Sequence, residues 1–280
     1  MTEFYVYDVF SAEAFGGNQL AVIPDATALP EDDLQRIARE FNFSESTFVF
    51  PAKDAAHTAH VRIFTPTMEI PFAGHPLIGT AVALSDQGTP PEMTLELGIG
   101  PLKCHAQNGQ ARFTTEVPLE RLAEPEVALV AKALSLDEGE IVTANHAPIM
   151  ATLGLPFTIT ELKSRDALSR IISDISAFRE GAAAYPGSLD FAQFAYVREG
   201  DMIHARMFAP LDNIPEDPAT GSACATLGAL LADLSGSDQA LTIHQGEDMG
   251  RLSVIHLTTQ DGAITISGAA KRVMQGRLVY

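Results

Sequence analysis

Two stretches of this chain, set about half its length apart, repeat one another. The first reads Arg62-Ile-Phe-Thr-Pro-Thr-Met-Glu-Ile-Pro71 and the second Arg206-Met-Phe-Ala-Pro-Leu-Asp-Asn-Ile-Pro215. At one fixed offset Arg62, Phe64, Pro66, Ile70 and Pro71 meet identical residues. The offset then shortens slightly, and His75-Pro-Leu-Ile-Gly-Thr-Ala81 lies over Asp217-Pro-Ala-Thr-Gly-Ser-Ala223. An internal repeat of this kind constrains the fold more than any single motif, because each copy must form a similar unit. It predicts two similar halves and puts His75 and Asp217 at equivalent points, each just before a helix.

The secondary-structure signals agree with two α/β halves. Phe4–Phe10 and Gln19–Ile23 read as strands separated by the turn Phe15-Gly-Gly-Asn18. Pro30-Glu-Asp-Asp33 opens a helix, with Leu34, Ile37, Ala38 and Phe41 at helical spacing. Leu168, Ile171, Ile172 and Ile175 show the same spacing in the second half. Strands are expected over Ser46–Pro51, His60–Phe64, Ala192–Val197 and Ile203–Phe208. After each repeated block comes a nearly all-apolar run, Gly79–Leu84 and Gly221–Leu231, and a helix apolar all round is a buried one. Each half is therefore expected to wrap strands around a central helix. The polar stretch Pro118–Pro125 marks the boundary, giving domains 1–120 and 121–280, with the last strand free to return to the first domain.

Composition narrows the function. The 280 residues carry 18 Lys+Arg against 36 Asp+Glu, a formal charge of −18. Such a surface repels phosphate backbones and anionic membranes, so neither nucleic acid nor a membrane is an expected partner. Cys104 and Cys224 are the only cysteines, too few for a disulfide framework or a CxxC pair. The N-terminus lacks the basic-then-apolar pattern of a secretory signal, and no apolar run is long enough to span a bilayer. A cytoplasmic globular protein is expected.

Three places carry candidate chemistry. Glu45 lies between an amphipathic helix and an apolar strand, flanked by serines and bracketed by Phe43 and Phe48. Such surroundings raise a carboxyl pKa toward neutrality, as a general acid/base requires, although these residues taken alone read first as an exposed, inert turn at a strand start. Phe72-Ala-Gly74-His75-Pro76 opens the first central helix, where amide N–H groups face a potential anion and His75 either donates a proton or caps the helix. Pro215-Glu-Asp217-Pro-Ala-Thr-Gly221-Ser222 opens the second, with Asp217 again either functional or a cap. Gly98-Ile-Gly100 continues into Pro-Leu-Lys and is no dinucleotide loop, and no Walker sequence occurs. His57, His60 and His75 lack a tight set of acidic companions, so no metal site is assigned.

With these residues in view, the sequence resembles the phenazine biosynthesis F-like (PhzF-like) family, which shares the diaminopimelate epimerase fold. The matching motifs are Asp8-Val-Phe with Gly17-Asn-Gln-Leu-Ala-Val22, Phe43-Ser-Glu-Ser-Thr-Phe48, Arg62-Ile-Phe-Thr-Pro66 and Phe72-Ala-Gly-His-Pro76. They continue with Gly79-Thr-Ala81, Glu216–Ala223, Gln245-Gly-Glu-Asp-Met-Gly-Arg251 and Ser267-Gly-Ala. The resemblance implies two pseudo-symmetric α/β domains, each a strand barrel around a central helix, with the active site between them, and a homodimer.

It also implies a cofactor-independent isomerase. The acid/base glutamate falls on Glu45, with His75, Asp217 and Ser222 at the other matched positions. Beside it, the two helix starts, read from their residues, are expected to hold a small carboxylate substrate through the amides near Gly74, Gly221 and Ser222. The family's defining member isomerises trans-2,3-dihydro-3-hydroxyanthranilate. Relatives of the same fold racemise or epimerise amino acids with one cysteine in each half. Here those loops hold His75 and Asp217, and Cys224 is a departure without an assigned role. An amino-acid racemase and a non-catalytic metabolite-binding protein stand as the alternatives.

Overall fold

The structure, a computed structural model, describes residues 1–280. Its elements begin with β1 (Glu3–Val9), β2 (Asn18–Ile23), α1 (Glu31–Phe41), β3 (Glu45–Phe50), β4 (Ala59–Phe64) and β5 (Glu69–Ile70). Next come α2 (Gly74–Asp86), β6 (Glu92–Leu97), β7 (Gly100–Gln107), β8 (Gln110–Thr115), β9 (Glu120–Ala123) and α3 (Val127–Ala133). β10 (Ile149–Thr152), β11 (Pro156–Glu161), α4 (Arg165–Ser169), α5 (Ile175–Ala184), β12 (Gln193–Glu199) and β13 (Met202–Ala209) follow. The chain ends with β14 (Ile214–Asp217), α6 (Gly221–Ser235), β15 (Ala240–Gln245), β16 (Ser253–Gln260) and β17 (Ala263–Arg277). It divides into two compact units. Met1–Thr114, Arg251–Val254 and Thr265–Tyr280 form the first, and Thr115–Gly250 with Ile255–Ile264 the second.

In the first unit the strands close on themselves. β1 pairs antiparallel with β2, β2 parallel with β3, β3 antiparallel with β4, and β4 parallel with β6. From there β6, β7 and β8 form an antiparallel run, β8 meets β17, and β17 returns antiparallel to β1. The ring leaves no free edge in its wall. α2 packs against β1, β2, β3 and β7, and every residue from Gly74 to Leu84 is buried. The short arm β5 pairs with β4 outside the ring order.

The second unit repeats the pairings made by β1 to β6 in the same order. β10 pairs antiparallel with β11, β11 parallel with β12, β12 antiparallel with β13, β13 antiparallel with β14 and parallel with β15. α6, buried over most of its length, contacts β10 and β11. This is the α/β class and the barrel-and-helix plan that the sequence implied.

The repeated arginines explain part of the duplication. Arg62 binds Glu69 through Nε at 2.8 Å and a terminal nitrogen at 2.6 Å, and lies over the Phe64 ring at 5.1 Å. Arg206 binds Glu216 in the same two-pronged way, both contacts 2.8 Å, and lies over Phe208 at 4.9 Å. A planar guanidinium suits both contacts at once. Each pair ties a barrel strand to the short arm that leads into the central helix.

The local signals hold for α1, where three acidic residues fill the first turn and Leu34, Ile37 and Ala38 face the core with Ile23, Phe48 and Phe64. They fail at the helix read through Leu168, Ile171, Ile172 and Ile175. α4 stops at Ser169, and α5 starts only at Ile175. Arg206 donates to the Leu168 carbonyl at 2.9 Å and to the Ser169 carbonyl at 3.2 Å, the acceptors a continuing helix would use. Asp174 then caps α5 by accepting from the Ser176 and Ala177 amides. Ile172 is left 70 % exposed.

Candidate functional site

Glu45 is the first residue of β3, set by its parallel register opposite Leu20 of β2. Its side chain is 16 % exposed and its Oε2 lies 3.4 Å from Nδ1 of His75, whose side chain is 5 % exposed. Two devices hold the helix bearing His75 against the strands bearing Glu45. Thr80 of α2 donates to Thr47 of β3 at 2.9 Å in a fully buried contact. Gly79 lets Leu20 and Val9 approach so closely that a Cβ there would sit 2.5 and 2.6 Å from their methyl groups.

His75 does not cap α2. Ala73 is the N-cap, in extended backbone and without a side-chain bond. Burial pushes the imidazole pKa down to about 3, with the Gln19 backbone hydrogen bond pulling the other way. At neutral pH the ring is therefore uncharged, and its contact with Glu45 is no ion pair. Its Nε2 is buried with no hydrogen-bond partner. The aromatic residues that bracket Glu45 in sequence are engaged elsewhere, Phe43 stacking on Phe41 and Phe48 packing edge-on against Phe64.

The loop before β2 is built around a buried acid. Asp8, 2 % exposed, accepts the Phe15 amide at 2.6 Å and pairs with Arg251 at 2.8 Å. Arg251 also donates to the carbonyls of Gly16 and Gly17. Gly17 has φ +62°, and a Cβ there would lie 2.2 Å from the Val9 carbonyl oxygen, so the turn requires glycine. The chain then passes Asn18, whose Oδ1 accepts from Ser44, and Gln19, whose backbone meets His75.

In the second unit Asp217 ends β14 and is 8 % exposed. It is not the cap of α6, whose N-cap is Thr220, again without a side-chain cap bond. The Thr220 hydroxyl donates to Asp217 Oδ2 at 2.5 Å. Gln245 ties the loop together: its amide nitrogen donates to the Asp217 carbonyl and the Thr220 hydroxyl, and its oxygen accepts the Thr220 amide. Gly221 is the first, buried residue of α6, and Ser222 follows half-buried. Burial raises the pKa of the Cys224 thiol, and that of Cys104, within β7, is pushed up to about 12. Neither is activated as a nucleophile.

Asp8, Arg251, Thr80, Thr220 and Gln245 were not singled out from sequence as site residues. Several stand in the quoted motifs, but their partners are distant along the chain. Of the histidines weighed as ligands, His57 bonds Glu96, and it lines with His60 a surface concavity of about 350 Å³.

A family model for phenazine biosynthesis-like proteins (PhzC-PhzF) matches residues 7–276. An uncharacterized isomerase of Mesorhizobium japonicum is 36% identical, the match covering 98% of each chain. The trans-2,3-dihydro-3-hydroxyanthranilate isomerase of Pseudomonas fluorescens is 33% identical over the whole of both chains. A crystal structure of a PhzF-family protein from Bacillus anthracis superimposes with a TM-score of 0.87 at 22% identity, covering 100% of this chain and 99% of that one. The chain belongs to the phenazine biosynthesis-like protein family and, like the relatives it matches end to end, is an isomerase.

Proposed function

We propose that the protein is a cofactor-independent isomerase that moves a proton between two carbons of a small carboxylate bearing an amino or hydroxyl group. Glu45 removes the proton from one carbon and returns it to another. The observation that carries this reading is the Glu45–His75 contact: a largely buried carboxylate 3.4 Å from an imidazole kept neutral by its own burial. A neutral ring can hold a substrate's polar group or relay a proton without becoming a fixed cation.

In this reading the amides at the start of α2, around Gly74, are donors for a substrate carboxylate, and those at the start of α6, around Gly221 and Ser222 with the Ser222 hydroxyl, are donors of the same kind. Both helices begin without a side-chain cap bond, which supports that role. Asp217 orients the amino or hydroxyl group. The same donors stabilise the charge that develops as the proton leaves. The reading carries with it a cytoplasmic homodimer, whose assembly light scattering checks.

The test is turnover in heavy water of trans-2,3-dihydro-3-hydroxyanthranilate and a panel of small amino- and hydroxy-carboxylates. Deuterium on a carbon other than the one deprotonated supports the isomerase. Label on the same carbon with inverted configuration assigns a racemase instead, and no exchange across the panel assigns a binding protein.

A further inference from the structure

β13 and β15 pair in parallel with His204 directly opposite His244, so both imidazoles stand on one face of the sheet, ring planes perpendicular and centroids 5.5 Å apart. The turn after β15 brings Glu247 over the same face. Its Oε2 lies 2.6 Å from His204 Nδ1, and one ligand atom from each of the three residues falls within 4.8 Å of the others. We propose that His204, His244 and Glu247 form a site for a divalent transition-metal ion, zinc being the fitting class.

Two imidazole nitrogens and one carboxylate oxygen are a donor set zinc accepts, with a fourth position left to water. The surroundings suit it. The other Glu247 oxygen receives Arg165 at 2.9 Å, which orients the carboxylate as outer partners of metal ligands do. His204 is 5 % exposed while His244 is half-buried, so the site is fixed on one side and open on the other. Glu199 stands 3.8 Å from His204 Nε2, adding negative charge beside the ring. The chain's net charge of −18 favours a cation.

In the ion-free chain His204 Nδ1 and Glu247 Oε2 share a hydrogen bond of 2.6 Å. An ion seated between them replaces that bond, and a ring that ligates through Nδ1 carries its one proton on Nε2, the atom facing Glu199. Metal–ligand bonds of about 2.0–2.2 Å require the two atoms to part slightly. The turn can supply this, since Gly246 and Gly250 have φ +75° and +69°. Nothing in the proton-transfer reading uses these residues, so the two stand or fall separately.

The test uses the full chain, stripped with a chelator and titrated with zinc chloride at pH 7.5 by calorimetry, with cobalt(II) as a spectroscopic probe. The site predicts one equivalent bound at micromolar Kd, ligand-field absorption with cobalt, and a zinc-dependent rise in Tm. His244→Gln, chosen because the ring is partly exposed, should weaken binding by roughly tenfold or more while the circular dichroism stays native. His57→Gln, at the separate His57–Glu96 contact, should leave it unchanged. Binding only at millimolar zinc, equal affinity in His244→Gln, or an equal loss in His57→Gln overturns the proposal and leaves His204–Glu247–Arg165 as a structural bridge. Should His244→Gln fail to fold, Glu247→Gln replaces it with the same expected loss.

Discussion

The Gln245 side-chain nitrogen donates to the main-chain carbonyl of Asp217 at 2.7 Å, so a residue at the end of β15 fixes the segment leading into α6. Gln245 is fully buried, and its oxygen takes the Thr220 amide at 3.0 Å. Gln245→Ala would strand a buried carbonyl and a buried amide, each costing about 1–3 kcal/mol. The expected result is a clear drop in the urea midpoint with an unchanged m-value. Gln245→Met, which keeps the volume but not the bonds, should lose nearly as much.

Glu45→Gln keeps the shape of the side chain and removes its capacity to take a proton. If this carboxylate is the base, kcat falls by roughly 10²–10⁴-fold while substrate still binds. Steady-state kinetics with circular dichroism as a folding control decides it, and near-normal turnover would dismiss the assignment.

His75 makes stability depend on pH. Its pKa of about 3 in the folded chain lies below the usual imidazole value of 6.5, so the unfolded chain binds the extra proton first. Stability from this group is therefore complete above pH ~6.5 and falls on acidification toward pH ~3, by up to about 1.4 kcal/mol per pH unit. Urea titrations at pH 7, 6 and 5 should show this slope in the native chain. His75→Gln should flatten it.

Gly79→Ala tests how the site is supported. Alanine is the better helix former by about 1 kcal/mol, yet a methyl here would meet Leu20 and Val9. Overpacking of this kind costs about 1–3 kcal/mol, so a net loss of Tm is expected. Because Leu20 is the register partner of Glu45, kcat should fall as well. Gly88→Ala, where the added carbon meets nothing within 4 Å, tests strain at φ +91° without contact and should leave kcat intact.

Arg251→Ala removes the guanidinium from Asp8, a carboxylate only 2 % exposed. Breaking a buried pair from one side costs about 3–5 kcal/mol, and the partial exposure of Arg251 points to the lower end. Thermal denaturation should show it. Arg251→Lys should recover only part, since one ammonium cannot reproduce the planar set of contacts to Asp8, Gly16 and Gly17.

What was legible in the sequence was whatever repeats or recurs locally. Arg62 and Arg206 stand at matching places and make matching contacts. The apolar runs became α2 and α6, and the carboxylate-rich opening of α1 sits where the spacing put it. The Leu168–Ile175 helix misled because its spacing is local, whereas Arg206, which takes the carbonyls that end α4, lies on β13. At Glu45 the sequence showed a carboxyl among aromatic residues but not its contact with His75, which depends on α2 lying inside a closed ring. Gln245, Asp8 with Arg251, and His204 with His244 were invisible for the same reason: strand pairing and loop return join them across long stretches of chain.

The first barrel owes its last stave to a strand that follows the second unit in sequence, since β17 fills the gap between β8 and β1. A ribosome making this protein must therefore pass β17 before that ring can shut. Until then β1 and β8 offer bare main-chain edges to any neighbour. Cutting the chain near its midpoint would leave the first unit without the strand that completes its wall, so the N-terminal segment is not a self-sufficient folding unit.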